Sequence, residues 1–362
     1  MIKNSIITTG RINSLDYLRG LAAFGIMIYH LHLFTYGEVD SSDVLAKIKI
    51  YGVSIFYVLS GLTLYLVNIK SFAFTKSKLT VFYIKRFFRI VPLLWMATAL
   101  TLIVSFSPDY LNYRKIIANI TVLPGALKPE TFIANGAWSI GDELFFYMLF
   151  PFLLWLAKAN KWAFSAFALF SLLLLSYFSF YKIHANIPLG EQESAYVNPL
   201  GQMFYFVMGI SLGIVERNLK NFGRWAIAAI IFLGAVIVFY PVTGNPAHLV
   251  TGFNRLILSA CVILFCFLFY KCDFSFLPGI IKTGLTTLGE ISFSVYLIHP
   301  IIYAIIKSIT ANSFISNPFI LLPLNITVTL IVSYFNYVYF EKYFVRVGNS
   351  ITAKYKKPLM PV

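Results

Sequence analysis

The sequence predicts an all-α, polytopic membrane helix bundle of about ten transmembrane helices, with both termini in the cytoplasm. Three observations carry that expectation. Of 362 residues, 59% are hydrophobic and 12% charged, roughly half the charge of a soluble domain. Mean hydropathy is +0.78. The apolar residues also gather into segments of about membrane-spanning length, with the basic residues gathered between them.

The spans read, in order, 18–36, 50–69, 90–107, 138–157, 162–181, 200–215, 225–243, 254–270, 288–307 and 319–340. The first has no small-residue cleavage site after its apolar run, so it reads as a retained helix rather than a signal peptide. The sixth and eighth are short, which a locally thin bilayer tolerates. Of the 29 Lys and Arg residues, twenty fall on the side of the N-terminus. Six (Lys47, Lys49, Arg114, Lys115, Lys128 and Lys182) fall on the other side, and Arg19, Arg255 and Lys307 lie at or inside spans. The asymmetry places both termini on the cytoplasmic side, and a multi-pass location in the plasma (inner) membrane is expected. One transmembrane domain is expected over 1–346, followed by a short basic cytoplasmic tail over 347–362. The net charge of +15 is spread along inter-helix loops, which marks membrane orientation rather than nucleic-acid binding. Cys261, Cys266 and Cys272 have neither metal-like nor disulfide-framework spacing, and no metal is expected.

Ionisable residues inside spans are costly and so mark candidate functional positions. The first span, "LDYLRGLAAFGIMIYHLHLF", carries Arg19 and His30. Eleven helical steps return His30 to within about 20° of Arg19, three turns on, whereas His32 points elsewhere. The fourth span opens "WSIGDELFFYMLFP" and puts Glu143 about 7 Å below the outer surface, with His30 about 12 Å below it. Those depths predict that the two share a cavity, with His30 as general base and Glu143 as its acidic partner. The plainer reading makes His30 a packing histidine satisfied by a backbone carbonyl. Asp142 is expected to cap its helix near Ser139. Lys85, Arg86 and Arg89, in "FYIKRFFRIVPLLW", read either as positive-inside anchors or as a polyphosphate site. Arg19 can join them, snorkel, or pair with Asp16 three residues earlier. Ser60, in "VLSG", is expected to serve helix packing. His299 and Glu290 of the ninth span are secondary candidates that face apart, and His299, next to Pro300, reads first as structural.

In order along the chain, five segments resemble the integral-membrane acyltransferase-3 family, whose members O-acetylate sugars of surface polysaccharides. "LDYLRGLAAFGIMIYH" looks like its first helix, and "GVSIFYVLSGLTLY" like its second, usually "FFVLSGF". "KRFFRIVPLLW" is similar to the arginine-rich start of the third, with Lys85 where an arginine is common. "AWSIGDELFFYMLFP" is similar to the "WSLSVEEQFYLLFP" type and aligns Glu143 with its acidic residue. "LGEISFSVYLIHPII" is similar to "LGxxSYSLYLxHxP".

The resemblance implies acetyl-CoA or another acyl-CoA as co-substrate from the cytosol. It also implies a glycan or lipid-linked sugar acceptor, such as a lipopolysaccharide sugar, on the far side. His30 and Glu143 would be catalytic, with Arg19, Lys85, Arg86 and Arg89 on the acyl donor; no hydrolase-like domain is expected after the bundle. The rival class is a proton-coupled secondary transporter of a small sugar or organic anion, which would also bury His, Glu and Arg. It would need matching Gly/Pro-broken helices in two repeats, and no repeat is visible.

Overall fold

The computed structural model describes residues 13–105, 107–122, 128–216 and 222–356. Lys3, Arg11, Arg217, Lys220 and Lys357, which enter the charge asymmetry, lie outside the described residues. Those described form an all-α bundle; the only β pairing among them is an isolated bridge between Gly223 and Cys272.

The helices are α1 Asn13–Tyr36, α2 Val44–Asn68, α3 Lys76–Val104, α4 Tyr113–Thr121, α5 Ala137–Ala159 and α6 Lys161–Tyr177. They continue as α7 Pro199–Glu216, α8 Ala226–Phe239, α9 Gly252–Lys271, α10 Gly279–Thr310, α11 Pro318–Phe335 and α12 Lys342–Ala353. A π-helical turn, Phe178–Lys182, extends α6, and another, Asn336–Glu341, joins α11 to α12. Among the described residues, nine helices are long and apolar enough to cross a membrane. The tenth expected span is α8, whose 14 residues reach about 21 Å, short of the roughly 30 Å hydrocarbon core.

Local chemistry sets the helix ends. Asp43 caps α2 by accepting from the Leu45 N–H at 2.7 Å, and Asn160 caps α6 through the Trp162 and Ala163 N–H groups. Thr75 caps α3 well before the expected start at residue 90. Lys85, Arg86 and Arg89 therefore stand within a 29-residue helix, not at its mouth. The expected boundary at 346/347 likewise falls inside α12, which packs along α3 and buries Gly348 and Thr352.

The tightest seams are α1 on α10 and α2 on α7. Both depend on glycine. A Cβ on Gly61 would strike the Phe206 carbonyl, one on Gly209 the Val58 carbonyl, and one on Gly20 the backbone at Gly289. In lipid, where apolar surface alone does not drive helices together, such close approach is what dispersion and packing need. A large core joins α1, α2, α3, α5, α7, α9 and α10. A second, smaller cluster (Ala23, Met27, Leu31, Ile291, Val295, Tyr303 and Leu321) fills the α1–α10–α11 seam.

One face of the bundle carries the first described residues and the last. The Ser14 hydroxyl donates to the Tyr270 carbonyl at the end of α9, and Ser77, near the start of α3, to the Tyr355 carbonyl. We call this the terminal face and the other the cavity face.

Candidate active site

His30, on α1, sits in the second cluster's seam. Its Nδ1 lies 2.9 Å from Nε2 of His299 on α10, and the rings stack 5.0 Å apart. His299 is only 1% exposed, and its Nδ1 is 2.8 Å from the Val295 carbonyl one turn earlier. A carbonyl oxygen only accepts, so His299 carries its proton on Nδ1. With both rings neutral, its Nε2 is then an acceptor, and His30 Nδ1–H must donate to it. The relay leaves the lone pair of His30 on Nε2, which has no hydrogen-bond partner among the described residues. That is the tautomer a general base needs. Phe34 stacks flat on His30 (5.7 Å, 10°), and Tyr296 meets the edge of His299 at 6.4 Å.

Glu143 does not join this pair. Its carboxylate accepts from the Ser60 hydroxyl of α2 and from the Tyr147 hydroxyl one turn on. A Cβ on Gly52 would touch Ile26, so those two residues mark one level on the antiparallel α1 and α2. Ser60 lies eight residues from that level toward the terminal face, and His30 four residues from it toward the cavity face. Their separation is about 18 Å along the axis. The expected His30–Glu143 pairing is therefore corrected. The depth count failed because α5 does not start at a membrane surface: Ile133 and Ala134 before it, and Ala137 at its first position, are already buried.

Glu143 stands instead at the level of the arginines. Arg19 pairs with Asp16 at 3.1 Å and lies within electrostatic reach of Glu143 and Arg89. The Arg86 guanidinium covers the Tyr147 ring at 5.5 Å, and its buried Nε lacks a partner among the described residues. Arg89 is exposed, and Lys85 is half-buried one residue before Arg86.

On the cavity face, a space of about 580 Å³ opens against Phe34, which stacks on His30, and Pro300, which follows His299; the two imidazoles are not themselves in its lining. Phe34, Trp138, Tyr110 and Tyr303 line it, with Pro300 following His299 and with Lys115, Glu130, Glu193 and Lys307 at its polar walls. The described residues of the connection 108–137 contribute much of this lining, and the connection 182–199 contributes Glu193. Partial desolvation, then the neighbouring Glu130 charge, raise the Glu193 carboxyl above its usual range.

A family model described as an acyltransferase domain matches residues 12–338. The chain belongs to the acyltransferase-3 family. No curated protein and no solved structure gives a significant match.

This membrane acyltransferase thus carries two polar centres stacked along the bundle axis, the arginine–Glu143 level and the His30–His299 level. Other expected residues hold the scaffold between them. Asp142 is fully buried and accepts from the Tyr57 hydroxyl at 3.1 Å rather than capping its helix, with Oδ1 left without a partner among the described residues. Close packing falls to Gly61, while its neighbour Ser60 serves Glu143. His32 lies apart, against Tyr36. No group of three metal-binding side chains occurs among the described residues of this acyltransferase.

The sequence left His299 a secondary candidate read as structural, and two participants were missed altogether. The place of His299 is set by tertiary packing, although "LIHP" put it in a family-like segment. Tyr147 was findable as the i+4 neighbour of Glu143 on one helix face. Glu341, which accepts from the Ser294 hydroxyl and lies within electrostatic reach of Arg89, sits in the π-helical turn that periodicity does not reveal.

Proposed function

We propose that this acyltransferase moves an acyl group, acetyl first, from a cytosolic CoA thioester to a hydroxyl of a sugar or glycan presented on the cavity face. The terminal face is then cytoplasmic, as the basic residues suggest. Arg86 and Arg89, with Arg19 and Lys85 nearby, take the CoA phosphates, since guanidinium forks match phosphate oxygens. The pantetheine arm, with the backbone length of about four extended residues, spans roughly 14 Å. Arg19 and His30 are eleven residues apart on α1, about 16 Å, so a donor held at the arginine level delivers its thioester close to His30. Glu143, Ser60 and Tyr147 border that path and offer hydrogen-bond partners to the arm's amides.

At the far end, His30 Nε2 takes the proton of the acceptor hydroxyl. The oxygen attacks the thioester carbonyl, the C–S bond breaks, and the departing sulfur takes the proton back from the imidazolium as CoA–SH. His299 stabilises the imidazolium by accepting from Nδ1. The single observation that carries this reading is the His30–His299–Val295 relay, which leaves Nε2 as the only basic position on His30.

The test is transfer of label from radioactive acetyl-CoA to candidate glycans by purified protein. Wild type transfers label and His30→Ala does not. Transfer that survives in His30→Ala rejects the base assignment, and label retained on the protein before acceptor is added rejects direct attack.

A further inference from the structure

The α4 helix divides into two faces. Tyr113, Ile117 and Ile120 are 66%, 56% and 58% exposed, and at 100° per residue they fall within an arc of about 60°. On the opposite arc, Lys115 lines the cavity, and Asn119 is buried, holding the Thr131 carbonyl and the Ile133 N–H at 3.1 and 3.0 Å. One side of a nine-residue helix therefore builds the cavity wall while the other presents bare apolar surface.

Its depth identifies what covers that surface. The Trp95 indole N–H donates to the Ile120 carbonyl at 3.0 Å, tying the end of α4 to α3. Trp95 lies nine residues, about 13 Å, before Val104, where α3 ends. The 29 residues of α3 reach about 43 Å, some 13 Å beyond the roughly 30 Å hydrocarbon core. Even if the whole excess projected from the cavity face, Trp95 and Ile120 would stand at the hydrocarbon boundary; any other division places them deeper. On α3 itself, Trp95 is 40% and Ile103 77% exposed. Across the cavity, Lys307 lines the wall while Ile309, Phe314 and Phe319, just beyond it in sequence, are 79%, 78% and 87% exposed.

We propose that α4 is embedded in the leaflet on the cavity face and makes the cavity open at lipid level. The acceptor hydroxyl then belongs to an amphiphile, a sugar on an apolar anchor that stays in the bilayer. The acceptor half of this inference rests on the acyl-transfer reading; the placement of α4 does not.

Two measurements test it, both on full-length protein in nanodiscs. In a background with the native cysteines replaced by alanine, a fluorophore is attached at Ile117→Cys and, as an aqueous reference, at Lys128→Cys. The Ile117 label is expected to be quenched by lipid carrying a shallow spin label and shielded from iodide, with the reverse at Lys128. Separately, transfer rates are compared for one sugar carried on a polyprenyl phosphate and the same sugar free in solution. Confinement to the membrane should raise kcat/KM for the anchored acceptor on the order of 10²-fold. Ile117→Lys with Ile120→Lys should remove that preference while leaving the rate on the free sugar unchanged. Iodide access at Ile117 equal to that at Lys128, or equal kcat/KM for both acceptors, overturns the inference. A lipid-shielded label with no transfer to any acceptor sinks the acyl-transfer reading and leaves α4 in the leaflet.

Discussion

Replacing His299 by leucine isolates what the second imidazole does. The His30–His299 contact is 2.9 Å long, and with His299 only 1% exposed no bulk water reaches the vacated position. The neutral hydrogen bond that the resting enzyme loses is worth about 1 kcal/mol, and the charge-assisted one lost when His30 becomes imidazolium about twice or more. The transition state therefore loses about 1–2 kcal/mol more than the ground state, a fall of roughly 5- to 30-fold in kcat. The KM for acyl-CoA should hold, because the proposed phosphate site lies about 16 Å away along α1. Glutamine at this position offers Oε1 to the same N–H, so His299→Gln should recover kcat to within about threefold of wild type, under 1 kcal/mol. The assay is initial-rate acyl transfer at saturating donor, with thermal unfolding checked for each variant. The reasoning is refuted if a folded His299→Leu protein keeps the wild-type kcat, or if glutamine is no better than leucine.

Other outcomes follow from the same geometry. Arg86→Ala and Arg89→Ala should each raise the KM for acyl-CoA by on the order of tenfold or more, a lost charge-assisted bond of about 1.5–3 kcal/mol, with little change in kcat. Glu143→Gln keeps the shape but weakens what Ser60 and Tyr147 donate to, so donor KM should move more than the pH dependence of kcat; a shifted pH profile with unchanged KM would return Glu143 to the histidine site. Gly209→Val drives a side chain into the Val58 carbonyl and should cost about 1–3 kcal/mol of stability, read as a lower unfolding temperature. Because the folded state raises Glu193, its charged form is destabilising above that raised value, and the penalty disappears as pH falls toward the unfolded value near about 4.3. Glu193→Gln should therefore unfold at a higher temperature than wild type at pH 7, and the gap should close by pH 4.

How much of this was legible before the fold was known differs by level. The bundle was legible, since apolar runs of span length leave few other structures in lipid. Arg19 and His30 sharing a face follows from helical periodicity and needs no tertiary information. The partner of His30 does not follow from periodicity, because two helices meet at a level set by their packing. Gly20 against Gly289 draws α1 onto α10, and that seam delivers His299. Depth counted from an apparent membrane surface misled for Glu143, because the chain before α5 is already inside the protein. Hydropathy also missed the first fourteen residues of α3, whose mixed composition, Lys85 and Arg86 included, continues one capped helix. The amphipathic α4 and α12 were invisible as spans, since neither is apolar all round.

The most direct test of the central claim is vectorial. Proteoliposomes oriented with the terminal face outward receive labelled acetyl-CoA outside and a lipid-anchored sugar in the inner leaflet only. The account predicts label on the sugar inside and free CoA outside for wild type, and neither for His30→Ala. Label reaching the sugar with alanine at position 30, or only when donor and acceptor share one side, would contradict it.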